Sequence, residues 1–149
     1  MSAMTMTHKQ PSLSALRSLA AKNGVAERRD GQTMILSFHL SDEEITARYD
    51  PTKPAAPVRL SITLGPMPAA APARQKIIER ALDINHAYAR RFACGIALVK
   101  NETADTALAL QSSLAARPAT EDELAARLRL LAAAATRARE LVARALPAH

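Results

Sequence analysis

The chain has one cysteine, no tryptophan, two phenylalanines and two tyrosines in 149 residues. A lone Cys94 excludes an internal disulfide and any metal centre held by several thiolates. With so few aromatics, the core must be built from Leu, Ile, Val and Ala, whose side chains bury less area each, so a protomer of this kind gains from a partner. The same shortage removes the aromatic platforms on which nucleic-acid bases stack. No apolar run approaches the ~20 residues of a membrane-spanning helix. No charged-then-apolar leader of signal-peptide type opens the chain. No membrane insertion and a cytoplasmic address are therefore expected.

Chemistry-bearing patterns are equally scarce. There is no P-loop and no GxGxxG glycine pattern for nucleotide phosphates. His39 and His86 lie far apart without HxxxH or HExxH spacing, and His8 and His149 lie near the two ends, so no metal site is assigned. Cys94, close to Phe92 and Gly95 in an apolar stretch, reads as a buried thiol rather than a nucleophile. Asp42, Glu43 and Glu44 read as wetted acids of a turn rather than an acid–base pair. No catalytic residue and no cofactor is assigned, and the protein is not expected to be an enzyme.

What the chain does have is hydrophobic content of 48%, right for one domain with a single core. That domain is placed at residues 12–146, after a loose tail at 1–11. The net charge is +6. Residues 1–73 carry 8 basic and 6 acidic groups, residues 74–100 carry 6 and 2, and residues 101–149 carry 6 and 6. Four of the six surplus charges thus fall between Arg74 and Lys100, which leaves a basic nucleic-acid-binding module as an alternative reading. A solvated helix face is the preferred one.

Apolar spacing then orders the chain. Leu13, Leu16, Leu19 and Ala20 recur at three and four, with Ser12 as N-cap and Gly24 as stop, predicting a short first helix. Arg28 to Gly31 reads as a polar turn. Met34, Leu36, Phe38 and Leu40 alternate with Ser37 and His39, predicting a strand. An acidic turn at Ser41 to Glu44 precedes a shorter strand from Ile45 to Tyr49, and proline-rich "DPTKPAAP" leads to a third strand with Val58, Leu60, Ile62 and Leu64 facing in. Gly65, Pro66 and Pro68 end that strand and deliver the chain to a second helix near Ala73.

On a helical wheel Ile77, Ile78, Ala81, Leu82, Ile84, Asn85, Tyr88, Ala89 and Phe92 fill an arc of about 160°, wider than the ~100° one sheet covers. That width predicts a contact beyond the helix's own sheet, and a second copy of the chain is the simplest one. Ile96, Leu98, Leu108 and Leu110 then predict a hairpin turning near Asn101 to Asp105. Thr120 followed by Glu123 is a capping-box signature. It opens a long helix with Leu124, Leu128, Leu131, Ala135, Ala138, Val142 and Leu146 on one face and Arg129, Arg137 and Arg144 on the other. The order is α-β-β-β-α-β-β-α, an α+β fold with a five-stranded, mainly antiparallel sheet packed by helices.

That order, with "LSALRSLAAKNGV", "DGQTMILSFHL", "LGPMP" and "IIERALDINHAYARRFACGIALVK", resembles the small homodimeric effector chaperones of bacterial type III secretion, the Tir-chaperone-like class. The likeness runs from Leu13 to Leu146. Members are typically acidic, whereas this chain is basic. The resemblance implies a cytoplasmic homodimer that catalyses nothing, serves virulence, and holds the N-terminal segment of a secreted effector in extended form, soluble and secretion-competent. It places the effector groove on the first helix and adjoining sheet, with Leu13, Leu16, Leu19, Leu36 and Phe38 contributing. It places the dimer interface on the second helix, through Ile77, Ala81, Ile84, Asn85 and Tyr88. The effector and the secretion ATPase are the implied partners, and nucleic acid is not expected.

Overall fold

The computed structural model describes residues 11–53, 55–92, 94–100, 106–114 and 120–145, with residues 11, 12, 89–92 and 145 given by backbone path alone. The elements run α1 (Pro11–Lys22), β1 (Ala26–Asp30), β2 (Thr33–Leu40), β3 (Glu43–Tyr49), β4 (Val58–Pro66), α2 (Ala71–Phe92), β5 (Cys94–Lys100), β6 (Thr106–Leu114) and α3 (Glu121–Ala145). The sheet has six strands in the order β1-β2-β3-β4-β6-β5, and every neighbouring pair is antiparallel. The mixed α+β class follows the sequence reading. The expected tail, the turn at 101–105 and Leu146 lie outside the described residues, apart from Pro11.

The extra strand corrects the count of five. Residues 28–30, read as a polar turn, belong to β1, whose five residues are all exposed. This strand is held by its ladder to β2, from Ala26 opposite Ser37 to Asp30 opposite Thr33, so no apolar face was needed to build it. Gly31, at φ 62°, turns the chain between them. A second correction concerns the acidic turn. Ser41 and Asp42 alone make it, both with positive φ (53° and 63°), and Leu40 pairs directly with Glu43. Left-handed conformations at both central residues give a hairpin turn whose twist matches the strands. Glu43 and Glu44 are therefore strand residues on opposite faces.

β4 also runs two residues further than expected, with Gly65 opposite Leu108 and Pro66 opposite Ala107. A bulge between Thr63 and Gly65 shifts the register, and Gly65 adopts φ 151°. The ladder between β3 and β4 reaches only Ser61, so Pro66 withholds no donor from a neighbour on that side. α1 begins at Pro11 rather than being capped by Ser12, since proline lacks only an N–H that the first turn leaves unbonded. Its end is as predicted: Gly24 sits at φ 70°, and the Asn23 side chain donates to the Leu19 carbonyl at 2.8 Å. The cap of α3 also follows the sequence, the Glu123 amide donating to Thr120 Oγ1 at 3.1 Å.

The helices cover the sheet with α3 in the middle, touching α1, α2 and strands β2, β3 and β4. Leu36, Phe38, Ile45, Leu60, Ile62 and Leu110 rise from the sheet to meet Leu16, Ile77, Leu124 and Leu128, each essentially without exposure. Burying such side chains contributes roughly 1.5–3 kcal/mol each, which is what closes this layer. Much of the wide apolar arc of α2 is covered inside the chain, because α2 packs on both α3 and β5.

Candidate functional site

Most residues to which the sequence reading gave a binding role lie in the core. Leu16, Leu19, Leu36 and Phe38 are buried, and Leu13 is half-buried against them. A partner reaches the first four only by opening the domain. On α2, Ile77, Ile84 and Tyr88 are likewise buried within the single chain, and burial pushes the Tyr88 hydroxyl pKa upward. Ala81 is half-buried. Asn85 uses its amide on the backbone of Ile96, accepting from its N–H and donating to its carbonyl at 3.1 Å. Gly95 beside it suits that contact, since a Cβ there would come within 3.4 Å of Asn85 Oδ1.

Among the described large apolar side chains of α2, the exposed one is Leu82, at 63%, next to Leu98 of β5 at 49%. Between them lies an apolar groove of about 140 Å³ whose walls include Met67, Ile78, Ala81 and Leu108. This is the unsatisfied part of the α2 arc.

The second surface is the face of the sheet opposite the helices, an open depression of about 970 Å³. Strand register defines it. One row across five strands reads Arg28, Ile35, Arg48, Arg59, Ser113. The next, across all six, reads Ala26, Ser37, Thr46, Ser61, Gln111, Gly95. Directly opposite residues lie about 5 Å apart at Cβ, and like charges so placed repel. Arg48 and Arg59 are exposed and directly opposed. Lys100, Asp30 and Glu44 also line the depression. Of the basic residues of the Arg74–Lys100 segment whose side chains are described, only Lys100 lines this depression, while Arg74, Lys76 and Arg80 lie on α2. The side chains of Arg90 and Arg91 are outside the described set.

Glu43 faces the helices and is buried, which corrects its reading as a wetted acid. Its carboxylate accepts from both terminal nitrogens of Arg139, at 2.7 and 2.8 Å, and from the Thr136 hydroxyl at 2.8 Å. Arg139 donates further to the carbonyls of Thr63 and Leu64. The Arg139 hydrogen bonds, above all, hold the Glu43 carboxyl below its ordinary pKa against the opposing effect of burial. The cluster ties α3 to β3 and β4, so it is a fastening. The signal in the sequence was parity: position 43 shares its strand face with Ile45, Ala47 and Tyr49.

Nothing among the described residues gathers into a metal-binding group of His, Cys, Asp and Glu. Cys94 is buried, and desolvation pushes its thiol up to about 11, far from thiolate chemistry at neutral pH. His39 lies 3.7 Å from Glu44, both well exposed. No described helix is long and apolar enough to cross a membrane.

No family model matches the chain, and no curated protein matches it in sequence. The fold does have a solved counterpart. It is similar to the crystal structure of YbjN from E. coli, a protein proposed to be a transcription regulator, with a TM-score of 0.54 over 91% of this chain and 96% of that one. Sequence identity is 18%, so the likeness is one of fold.

Proposed function

We propose that the protein is a dimeric, non-catalytic binding protein of the cytoplasm that holds an extended segment of another polypeptide, in the manner of the type III secretion chaperones its sequence resembles. The observation that carries the reading is the exposed apolar strip of Leu82 and Leu98 along the α2–β5 groove. Contiguous exposed apolar surface on a small domain marks an interaction site, and a two-fold arrangement would let the same strip on each copy cover the other. This moves the dimer contact from the buried Ile77, Ile84 and Tyr88 to the outer side of α2. The client, a secreted effector on this reading, is then left the surfaces the dimer does not use, and extended chain suits them because its backbone and alternate side chains can both be engaged.

The test is molar mass by light scattering on the full chain. Wild type is expected to be a dimer at about micromolar concentration, as standard-sized interfaces commonly sustain. Leu82→Glu should be a monomer with an almost unchanged melting temperature, since Leu82 is largely exposed in the single chain. A monomeric wild type sinks the dimer. Co-purification from the native host, followed by reconstitution with the purified client, addresses the chaperone role.

A second reading, a nucleic-acid-binding module, is favoured by the net charge of +6 and the basic open sheet face. It requires affinity for oligonucleotide that falls with salt at a log–log slope of roughly 0.7–0.9 per phosphate neutralised.

A further inference from the structure

We infer that the open face of the sheet is the docking surface for an acidic, extended segment of the partner polypeptide, held by Arg48 and Arg59. The inference deepens the chaperone reading and rests on it for the partner being a polypeptide. Arg48 and Arg59 stand directly opposite one another on β3 and β4, exposed, and neither has an ion-pair partner among the described residues. Two guanidinium groups so placed repel, and an intervening carboxylate converts the repulsion into two charge-assisted bonds. Arg28 lies in the same row, with Ile35 between it and Arg48. Ile35 is only 3% exposed, giving the row an apolar floor.

Charge and composition choose the occupant. Arg28, Arg48, Arg59 and Lys100 line the depression against Asp30 and Glu44, a surplus of two, enough for a segment with a few carboxylates and small for a phosphate backbone. None of the residues lining it is aromatic, so bases would find nothing to stack on. The next row supplies Ser37, Thr46, Ser61 and Gln111, short polar groups suited to a peptide backbone lying close to the sheet. Six strands at ~4.8 Å spacing make a face roughly 25 Å across, which about seven or eight residues of extended chain would span.

The test uses the full-length protein and fluorescence anisotropy with three labelled probes: a peptide of alternating Glu and Ser about ten residues long, its Lys/Ser counterpart, and an oligothymidylate of similar length. The acidic peptide should bind and the Lys/Ser peptide should not. Arg48→Gln with Arg59→Gln should weaken binding at least about tenfold, the effect of losing one or two charge-assisted contacts. Arg129→Gln with Arg144→Gln removes the same charge from the exposed side of α3 and should leave binding within about twofold. Circular dichroism confirms that both variants fold. Equal losses in the two double variants, no binding of the acidic peptide, or tighter binding of oligothymidylate through the same arginines each overturn the proposal. A natural client held as tightly by the Arg48/Arg59 variant also overturns it while leaving the chaperone reading intact. A monomeric wild type that binds the acidic peptide through these arginines keeps the docking surface and removes the dimer instead.

Discussion

The two faces of one sheet are built from the same strands and answer to different demands. On β4, Val58, Leu60, Ile62 and Leu64 turn toward the helices and are buried, while Arg59 and Thr63 turn the other way and stay exposed. The covered face is optimised for area, and its residues are interchangeable only with others of similar shape. The open face carries opposed arginines where a neutral or mixed-charge pair would serve folding better. The contrast teaches that stability is concentrated on one side of the molecule and that the other is free to serve recognition.

The sharpest way to break that comparison is Phe38→Ala. Phe38 has no exposure, and emptying its site should cost about 3–5 kcal/mol in urea unfolding. A loss under about 1 kcal/mol would mean that the helical layer does not close over β2.

Glu43→Gln probes the fastening at the margin of the covered face and should cost about 2–3 kcal/mol, because Arg139 loses a charge-assisted partner. Its pH dependence has a definite sign. A carboxyl held below its ordinary value stabilises the fold above that value, near 4.5, and loses the contribution as the pH falls through the depressed folded-state pKa. Wild-type stability should therefore decline below about pH 4.5, and the variant should decline less steeply. Asp50 and Glu121 are also lowered, by hydrogen bonds from Thr52 and from Lys22 and Ser18 respectively, so some acid sensitivity will survive. A parallel decline in both proteins would remove Glu43 from the account.

The smallest effect is expected on the open face. Arg48→Gln with Arg59→Gln should change unfolding free energy by no more than about 0.5 kcal/mol in either direction. A large loss would show that the arginines support the fold and would erase the division of labour between the faces.

How far the fold could be read in advance depended on whether a segment buries a side-chain face. β2, β4 and α3 do, and their alternation or capping signals sufficed. β1 buries nothing: "AERRD" is held by its ladder to β2 and by an exposed ion pair from Arg17 to Glu27 at 3.1 Å, and charged residues on such an edge strand carry no periodic signal. The register of Glu43 was hidden because its turn uses Ser41 and Asp42 in the left-handed region, where Gly or Asn would have announced a two-residue hairpin. The α1 leucines were legible as an apolar stripe, but the stripe does not say whether helix or partner covers it. Arg59 falls between the inward-facing Val58 and Leu60, so its outward direction follows from alternation. Its juxtaposition with Arg48 is a cross-strand fact that spacing along one strand cannot supply.

Asn85 carries a consequence for how the molecule ends. β5 is the last strand of the sheet, and the amide of Asn85 occupies both backbone groups of Ile96, as a residue of a seventh strand would. An outer strand with unoccupied groups is a template on which further chains can stack into fibrils. One side chain from α2 therefore blocks strand addition at Ile96, the third residue of that seven-residue rim strand.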